Sequence, residues 1–390
     1  MTRIFFTATA AAAAVWISGA AAALSDSDCD CYRTSANDVF TDYTLSDFRR
    51  VGSPKAVPEL QSTLPDSAFR STPDADTGVL QDGFISGPKW NQSWTIQEWG
   101  RPKANDTLYP MSNSFSNVFI DRNKDGDKKA KTKLVLRTRR FEGFQSAAEV
   151  EHQQKNLLYA SARFRARVIG DAGAVAGLFY YQNGNNESDI EILTRDDPTI
   201  IRYSNQPTVD DDGNQIPDSS TIFNLATKQR RDDIEDKKKR SFLSPRADGD
   251  LAWTEWHTHR IDWIAGKSSW YVDGEFELEK TYGVPTVPSY IVLNMWGDGG
   301  VWSGEMEVNA EARLEIEWIE MAFNTSGPVE GVPDEEDNAR RKSKRADACT
   351  KMCTLGDGAP HQSGAVGLRR TDSRLAIAVA IGAMVLFVAF

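Results

Sequence analysis

Three acidic residues alternate along one short stretch of the chain, because Glu187, Asp189 and Glu191 are each separated by a single residue. If this stretch is a β-strand, its period of two places the three carboxyl groups on one face of a sheet. Like charges on one face repel one another, which is costly for a fold with no use for them. Glycoside hydrolysis does use such a set, because it needs one carboxylate near the anomeric carbon and one carboxylic acid to protonate the leaving oxygen.

The outer two carboxyl groups must approach each other to act as a pair. On a flat strand the Cα atoms of Glu187 and Glu191 are ~13 Å apart, whereas the carboxyl groups of a retaining pair are ~5–5.5 Å apart. A concave sheet lets the two side chains lean together, and the charge of Asp189 between them favours a proton on one neighbour. An acidic strand at a solvated sheet edge has the same spacing, so spacing alone leaves both interpretations open.

The elements around this stretch have the pattern of short strands. From Phe84 onward, alternating or β-branched runs are broken by turn residues, and no long helical pattern separates them. The clearest runs are Trp94–Trp99, Val118–Ile120, Lys133–Arg137, Leu158–Val168, Val175–Tyr181, Ser188–Leu193, Trp256–Ile264, Ser289–Met295 and Arg313–Phe323. This pattern predicts an all-β sandwich or barrel. Asp273-Gly274 between two such runs predicts a hairpin turn.

The acidic stretch resembles the family 16 glycoside hydrolases, in which Glu-x-Asp-x-Glu lies on a strand of a concanavalin A-like jelly-roll β-sandwich. Other segments between Phe84 and Phe323 follow the order of that family: Gln145–Glu149, Leu158–Ala166, Gly177–Tyr180, Trp256–Trp263, Trp270–Gly274 and Val292–Gly297. The resemblance implies a retaining mechanism with Glu187 as the nucleophile, Glu191 as the general acid/base and Asp189 tuning the pair. We expect no cofactor.

The single residue between Asp189 and Glu191 is similar to the unbulged branch of the family, which includes lichenases, plant xyloglucan endotransglycosylases and fungal chitin–glucan crosslinkers. Laminarinase-like members carry an extra residue there. Ser188 departs from the family, which usually has an aliphatic residue at this position. We expect Ser188 to face away from substrate, so the departure concerns packing more than chemistry.

Tryptophan is unusually frequent, with 11 copies in the chain. Sugar rings present apolar faces that stack on Trp and Tyr. We therefore expect Trp256, Trp296 and Trp302 to form walls of a sugar-binding cleft, although plain core packing would explain each of them equally well. His257 is a candidate for a hydrogen bond to substrate or to the catalytic acid, with a structural role as the alternative.

The stretch Asp121–Asp127 is similar to the start of a calcium-binding loop. The closing Glu of such a loop is missing, because Thr132 occupies the twelfth position. We interpret the stretch as an acidic turn and predict no metal site.

Composition limits the class of protein. The chain of 390 residues carries 45 Lys and Arg against 56 Asp and Glu, a net charge of −11. This balance argues against a nucleic-acid partner, which favours a basic face. The composition also excludes a small disulfide scaffold, a collagen and a polytopic membrane protein.

The two ends have the composition of targeting signals. Residues 1–23 combine Arg3, an apolar run and Ala21–Ala23, as in a secretory signal peptide. A small-residue site around Ser363, a polar spacer and the apolar tail Leu375–Phe390 match a GPI-attachment signal, with a membrane-spanning tail anchor as the alternative. The predicted segments are a signal peptide (1–23), an N-terminal segment (24–83), a catalytic β-sandwich (84–325), a linker or stalk (326–362) and the GPI-attachment signal (363–390).

Four cysteines lie in two close pairs near the ends, Cys29 with Cys31 and Cys349 with Cys353. Residues so close along a strand bridge poorly, so two long-range disulfides between the ends are favoured over two local ones. A four-thiolate metal site is the alternative, and an oxidising secretory compartment argues against it. The connectivity of the two bridges stays open.

Four sequons mark candidate glycosylation sites in a secreted chain. Asn91, Asn105 and Asn324 are expected to carry glycans. Asn186 directly precedes the acidic stretch, where a glycan would obstruct the site, so we expect this sequon to be unused.

Together these observations predict a secreted, GPI-anchored retaining endo-β-glucan hydrolase or transglycosylase that remodels cell-wall β-glucan, with chitin as a further candidate acceptor. The expected location is the cell surface or cell wall, on the plasma membrane. A non-catalytic, lectin-like wall protein on the same sandwich is the alternative, and an adhesion or structural wall protein is a third interpretation.

Overall fold

The computed structural model describes residues 29–74, 77–105, 107–125, 129–232, 251–328 and 349–360. The predicted signal peptide, most of the linker and the GPI-attachment signal with Ser363 lie outside these residues. No helix within the described ranges is long and apolar enough to span a membrane.

Nearly all regular structure in the described chain is β-strand. The exceptions are the four-residue helix α1 (Pro88–Asn91) and short 3-10 turns at Asp66–Phe69 and Phe115–Asn117. The strands are β1 (Cys31–Arg33), β2 (Val39–Phe40), β3 (Asp42–Asp47), β4 (Trp94–Ile96), β5 (Gly100–Arg101), β6 (Met111–Asn113), β7 (Val118–Arg122), β8 (Thr132–Arg140), β9 (Gln145–His152), β10 (Leu157–Gly170), β11 (Val175–Asn183), β12 (Asn186–Leu193), β13 (Ile200–Asn205), β14 (Ser220–Asn224), β15 (Arg230–Asp232), β16 (His257–Ile264), β17 (Lys267–Val272), β18 (Glu275–Lys280), β19 (Tyr290–Trp296), β20 (Glu311–Thr325) and β21 (Met352–Thr354).

Two antiparallel layers face each other. The cleft sheet has the order β4-β9-β19-β11-β12-β13-β14-β15. The outer sheet has the order β7-β8-β20-β10-β16-β17-β18, and β3 pairs with the second half of β20. Strand β9 also pairs with β8 and therefore joins the two layers. The structure confirms the prediction of an all-β, jelly-roll-like sandwich.

The hydrophobic core between the sheets fixes which side chains of β12 face outward. Ser188, Ile190 and Ile192 are each at most 2% exposed, and the two isoleucines pack in the main core cluster. Burying one such side chain is worth roughly 1.5–3 kcal/mol. Slipping the strand by one residue would exchange these isoleucines for carboxylates, so the core holds the acidic face in place. Ser188 faces away from the carboxylates, as expected.

The two ends of the described chain are joined on the sandwich by a clasp, consisting of β1, β21 and two disulfides. β1 pairs with β21 in parallel. Disulfides join Cys29 to Cys353 and Cys31 to Cys349, with Cα atoms 5.7 and 5.9 Å apart, within the ordinary range. The prediction of two long-range bridges is confirmed.

The N-terminal segment is part of the sandwich in the structure. Asp42–Asp47 forms β3 and pairs with β20 of the outer sheet, and Cys29 onward clusters with the sandwich as one compact unit. The sequence boundary at residue 84 therefore does not separate two structural units within the described residues.

The Asp-Gly hairpin is also present. Asp273 and Gly274 connect β17 to β18 and both have positive φ, 50° and 87°. Two consecutive positive φ angles are those of a type I′ turn, which matches the twist of the flanking strands.

Candidate active site

The three carboxylates of β12 lie together in an open cleft on the cleft sheet. Asp189 is 2% exposed, and Glu187 and Glu191 are half-buried. The other lining side chains come from β9, β11, β19 and the region of β5 and β6: Trp99, Arg101, Met111, Asn113, Glu149, Gly177, Phe179, Asn294 and Trp296. The structure thus brings the predicted acidic set together with polar and aromatic groups in one depression.

Asp189 is held as a proton donor to Glu187. Burial raises the pKa of Asp189 well above its ordinary value, and the neighbouring Glu187 and Glu191 raise it further. Ser204 Oγ donates to Asp189 Oδ2 at 3.0 Å, and a hydrogen bond joins Asp189 to Glu187. Burial also raises the pKa of Glu187, while the hydrogen bond from Asp189 acts to lower it. The shared proton therefore sits on Asp189 and stabilises Glu187 as the carboxylate.

Glu191 is bordered by an indole on its open side. Trp302, in the loop after β19, donates its Nε1–H to Glu191 Oε1 at 3.2 Å. Trp302 is 38% exposed. Arg202 of β13 is the direct antiparallel partner of Glu191. Glu191 therefore has an indole as hydrogen-bond donor and an arginine as its direct partner on the adjacent strand.

A fourth carboxyl group, Glu149 of β9, lines the cleft opposite Glu191. Trp99 Nε1 donates to Glu149 Oε1 at 2.7 Å, and Asn294 Nδ2 approaches Oε2 at 3.4 Å. Burial raises the pKa of Glu149 to about 7, with smaller contributions from nearby carboxylates. Sequence reasoning placed Glu149 on a strand but missed it as a site residue, because its place depends on the pairing of β9 with β19.

Gly177 of β11 keeps the space between these groups open. It pairs with Asn294 on one side and Glu191 on the other. A Cβ atom at Gly177 would lie 2.6 Å from Asn294 Oδ1 and 3.1 Å from the Phe179 ring. The absence of a side chain there is therefore required by the close approach of Asn294 and Phe179.

Two of the predicted aromatic residues, Trp296 and Trp302, are at the cleft. Trp296 ends β19 and lines the depression. The Arg101 guanidinium lies 5.6 Å from the centre of the Trp296 ring and forms an ion pair with Asp298. This pair ties the loop after β19 to β5 and holds one wall of the cleft.

The other two predicted substrate-binding residues lie elsewhere, and that expectation is corrected. Trp256 precedes β16 in the outer sheet and stacks against Arg167, whose Cζ is 4.8 Å from the ring. His257 pairs with Ala166 of β10, and its Nδ1 is 2.6 Å from Asp273 Oδ2 in the β17–β18 turn. His257 lies in the outer sheet and Trp256 directly before its strand, whereas the carboxylates lie on the cleft sheet.

The acidic turn at Asp121–Asp127 is only partly described. Asn123 Nδ2 donates to Glu317 Oε1 at 2.7 Å, and Asp125 pairs with Arg167 at 3.3 Å. Across the described residues, no group of three His, Cys, Asp or Glu side chains is arranged to hold a metal ion.

The asparagines of the four sequons differ in exposure and in side-chain hydrogen bonding. Asn91 and Asn105 are exposed and Asn324 is half-buried. The side chain of Asn186 donates to Asn183 Oδ1 at 3.2 Å and accepts from the Thr286 amide at 3.1 Å. Glycan attachment at the first three and its absence at Asn186 stay predictions.

Part of the chain is similar in sequence to bacterial β-glucanases. It is 33% identical to a β-glucanase of Paenibacillus polymyxa over 73 residues, which are 18% of this chain and 31% of that enzyme. It is 37% identical to a β-glucanase of Bacillus amyloliquefaciens over 66 residues, which are 16% of this chain and 28% of that enzyme. The chain thus spans less than a third of the length of these relatives. No family model matches it.

Similar solved structures include two bacterial glucanases. The β-glucanase of Bacillus licheniformis superposes with a TM-score of 0.43 at 19% identity, covering 60% of this chain and 94% of that chain. The laminarinase catalytic domain of Thermotoga maritima gives 0.43 at 15% identity, covering 63% of this chain and 96% of that chain.

Proposed function

We propose that this chain is a retaining endo-β-glucan hydrolase of the family 16 type, with Glu187 as nucleophile and Glu191 as general acid/base. The observation that carries the proposal is the state of the carboxyl groups on one strand face. Asp189 is buried and hydrogen-bonded to Glu187, while Glu191 is half-buried and accepts a hydrogen bond from Trp302. Glu187 and Glu191 therefore have different surroundings. This difference suits an ionised role for Glu187 and a proton-donating role for Glu191.

The reaction then proceeds in two displacements. The Glu187 carboxylate attacks the anomeric carbon while Glu191 gives its proton to the leaving glycosidic oxygen, so the C–O bond breaks as the glycosyl ester forms. Glu191, now ionised, takes a proton from the incoming hydroxyl, whose oxygen attacks the anomeric carbon as the bond from that carbon to Glu187 breaks, and Glu187 leaves as the carboxylate. Water gives hydrolysis, and a glycan hydroxyl gives transfer.

The cleft supports a neutral glycan as the substrate. Its lining includes Glu149, Glu187, Asp189 and Glu191, while the lining cation Arg101 is paired with Asp298. An anionic sugar would meet the Glu187 carboxylate there and would find the lining cation already paired. Trp296 and Phe179 offer apolar faces for sugar rings, and the sequence relatives are named β-glucanases.

We also propose that the enzyme is secreted, held on the cell surface by a GPI anchor, and remodels cell-wall β-glucan, partly by transglycosylation. The terminal signals of the sequence support this location. The two disulfides support passage through an oxidising compartment.

The alternative is a lectin-like module that binds glycan without turnover. We would compare wild type with Glu187→Gln and Glu191→Gln on β-1,3-glucan, mixed-linkage glucan and xyloglucan, with and without added chitin oligosaccharide acceptor. The proposal predicts product from wild type only, released first as the β-anomer by proton NMR. If all three proteins bind glycan equally and wild type makes neither product nor crosslinks, the lectin interpretation is correct.

A further inference from the structure

Arg202 is a buried cation beside the proposed acid/base. Its side chain is 8% exposed and forms an ion pair with Asp196, in the turn after β12. Arg202 lies directly opposite Glu191 in the β12–β13 ladder, where side chains of antiparallel partners are neighbours. Its Nε is buried and has no hydrogen-bond partner among the described residues. Keeping a guanidinium in this position is costly unless it interacts with a nearby charge.

Trp302 connects Arg202 to Glu191. The Arg202 Cζ lies 5.1 Å from the centre of the Trp302 ring, a distance at which a cation is attracted to an indole face. The indole Nε1 donates to Glu191 Oε1. The loop that carries Trp302 is held in turn by Ser303 Oγ, which donates to Asp298 Oδ1 at 3.0 Å. One face of the indole is therefore on Arg202 and one edge is on Glu191.

We propose that Arg202 is a positioning residue for the acid/base, holding Trp302 against Glu191 and favouring the ionised form of that carboxyl group. The role of Glu191 rests on the proposed function, but its ionisation can be measured without any activity. Neither Arg202 nor its link through Trp302 follows from the Glu-x-Asp-x-Glu spacing, because both depend on β13 and a distant loop.

The reason is the balance of charge around Glu191, which must be protonated in the first displacement and ionised in the second. The charged and titratable groups facing it are Asp189 and Glu187 on its own strand, Arg202 on β13, Asp196 in the intervening turn and Glu149 on β9. Gly177 of β11 and Trp302 carry no charge, and the Arg101–Asp298 ion pair lies at the wall of the same cleft. The Glu187 carboxylate favours a proton on Glu191, whereas the Arg202 guanidinium favours the ionised form in which Glu191 acts as a base.

The test is a titration of Glu191 in protein with carbon-13-labelled glutamate carboxyl groups, in which Glu191→Gln identifies the resonance by its loss. An opposite charge within ~4–6 Å lowers a carboxyl pKa by ~1–3 units, and the Arg202 guanidinium is shared with Asp196. We therefore expect Arg202→Gln to raise the Glu191 midpoint by about 1 pH unit. Arg202→Lys should stay close to wild type, and Trp302→Phe should raise the midpoint by a smaller amount.

Arg195→Gln is the matched control, because it removes the same charge from an exposed arginine in the same turn. It should leave the Glu191 midpoint unchanged. On an active enzyme, the alkaline limb of kcat/KM should move upward with the midpoint, whereas a purely structural Arg202 would lower kcat/KM equally at every pH.

An unchanged midpoint in Arg202→Gln, or an equal shift in Arg195→Gln, overturns the inference. If Arg202→Gln does not fold, the Trp302→Phe titration decides, and an unchanged midpoint there refutes the link. If wild type has no glucanase activity but the variants show the expected shifts of the Glu191 midpoint, the proposed function is refuted and the inference about Arg202 stands.

Discussion

Replacing the buried carboxyl group of Glu149 by an amide should change how stability depends on pH. Glu149 is 7% exposed, and burial raises its pKa from 4.5 to about 7. Because each pKa unit is worth ~1.4 kcal/mol, the folded protein should lose about 3 kcal/mol of stability when this group ionises. Glu149→Gln preserves an acceptor for Trp99 Nε1 and removes the charge, so it should escape this loss.

The direction follows from where the proton is bound in each state. Below pH 4.5 Glu149 is protonated in both folded and unfolded chains, and its contribution is fully present. As pH rises toward 7, the unfolded chain releases the proton while the folded chain still holds it, so stability falls. The loss is complete above about pH 8, since both states are then ionised.

The assay is urea unfolding of wild type and Glu149→Gln, with disulfides intact, at pH 4.5, 6 and 8. The stability of the variant relative to wild type should increase by about 3 kcal/mol across this range, most of it before pH 7. Glu142→Gln, in the exposed β8–β9 loop, is the control and should show a constant difference from wild type. A pH-independent difference between Glu149→Gln and wild type would refute the reasoning.

Three further predictions test the cleft and the clasp. Gly177→Ala should lower kcat/KM and cost about 1–3 kcal/mol of stability by overpacking. Steady-state kinetics and urea unfolding measure the two effects. Unchanged values would show that Asn294 and Phe179 can move aside for the added methyl group. Trp296→Ala should weaken glucan oligosaccharide binding by about tenfold in calorimetry, while Trp256→Ala should leave affinity as in wild type. Cys353→Ser should lower the free energy of unfolding by about 2–4 kcal/mol. An unchanged urea midpoint would show that the Cys29–Cys353 bridge does not stabilise the fold.

The acidic face could be predicted from sequence because the rule behind it is local. In a strand, alternate residues point to opposite sides, and the isoleucines at 190 and 192 identify the core side. No knowledge of the neighbouring strands is needed to place Glu187, Asp189 and Glu191 on the other side. The jelly-roll fold was predictable for a similar reason, since short alternating runs are a property of each segment.

The assignment of Trp256 and His257 failed because the sheet that a strand joins is decided by distant partners. Strand β16, which begins at His257, pairs with β10 and β17 in the outer sheet. The residues Trp256–Trp263 alone do not indicate which strands will be these partners. Trp302 reaches the cleft from the loop after β19, in which Asp298 forms an ion pair with Arg101 of β5. An aromatic residue alone therefore predicts a sugar platform poorly until strand order is known.

Strand order also supports the proposal that one site contains both a proton donor and a base. Glu149, Asn294, Gly177, Glu191 and Arg202 are consecutive partners across β9, β19, β11, β12 and β13. At one end of this row burial favours a proton on Glu149, and at the other end a guanidinium favours a carboxylate. Glu191 lies between them, next to the gap that Gly177 leaves. The row thus runs across the cleft from a buried carboxyl group to a guanidinium, and the acid/base role that we propose for Glu191 places it between the two.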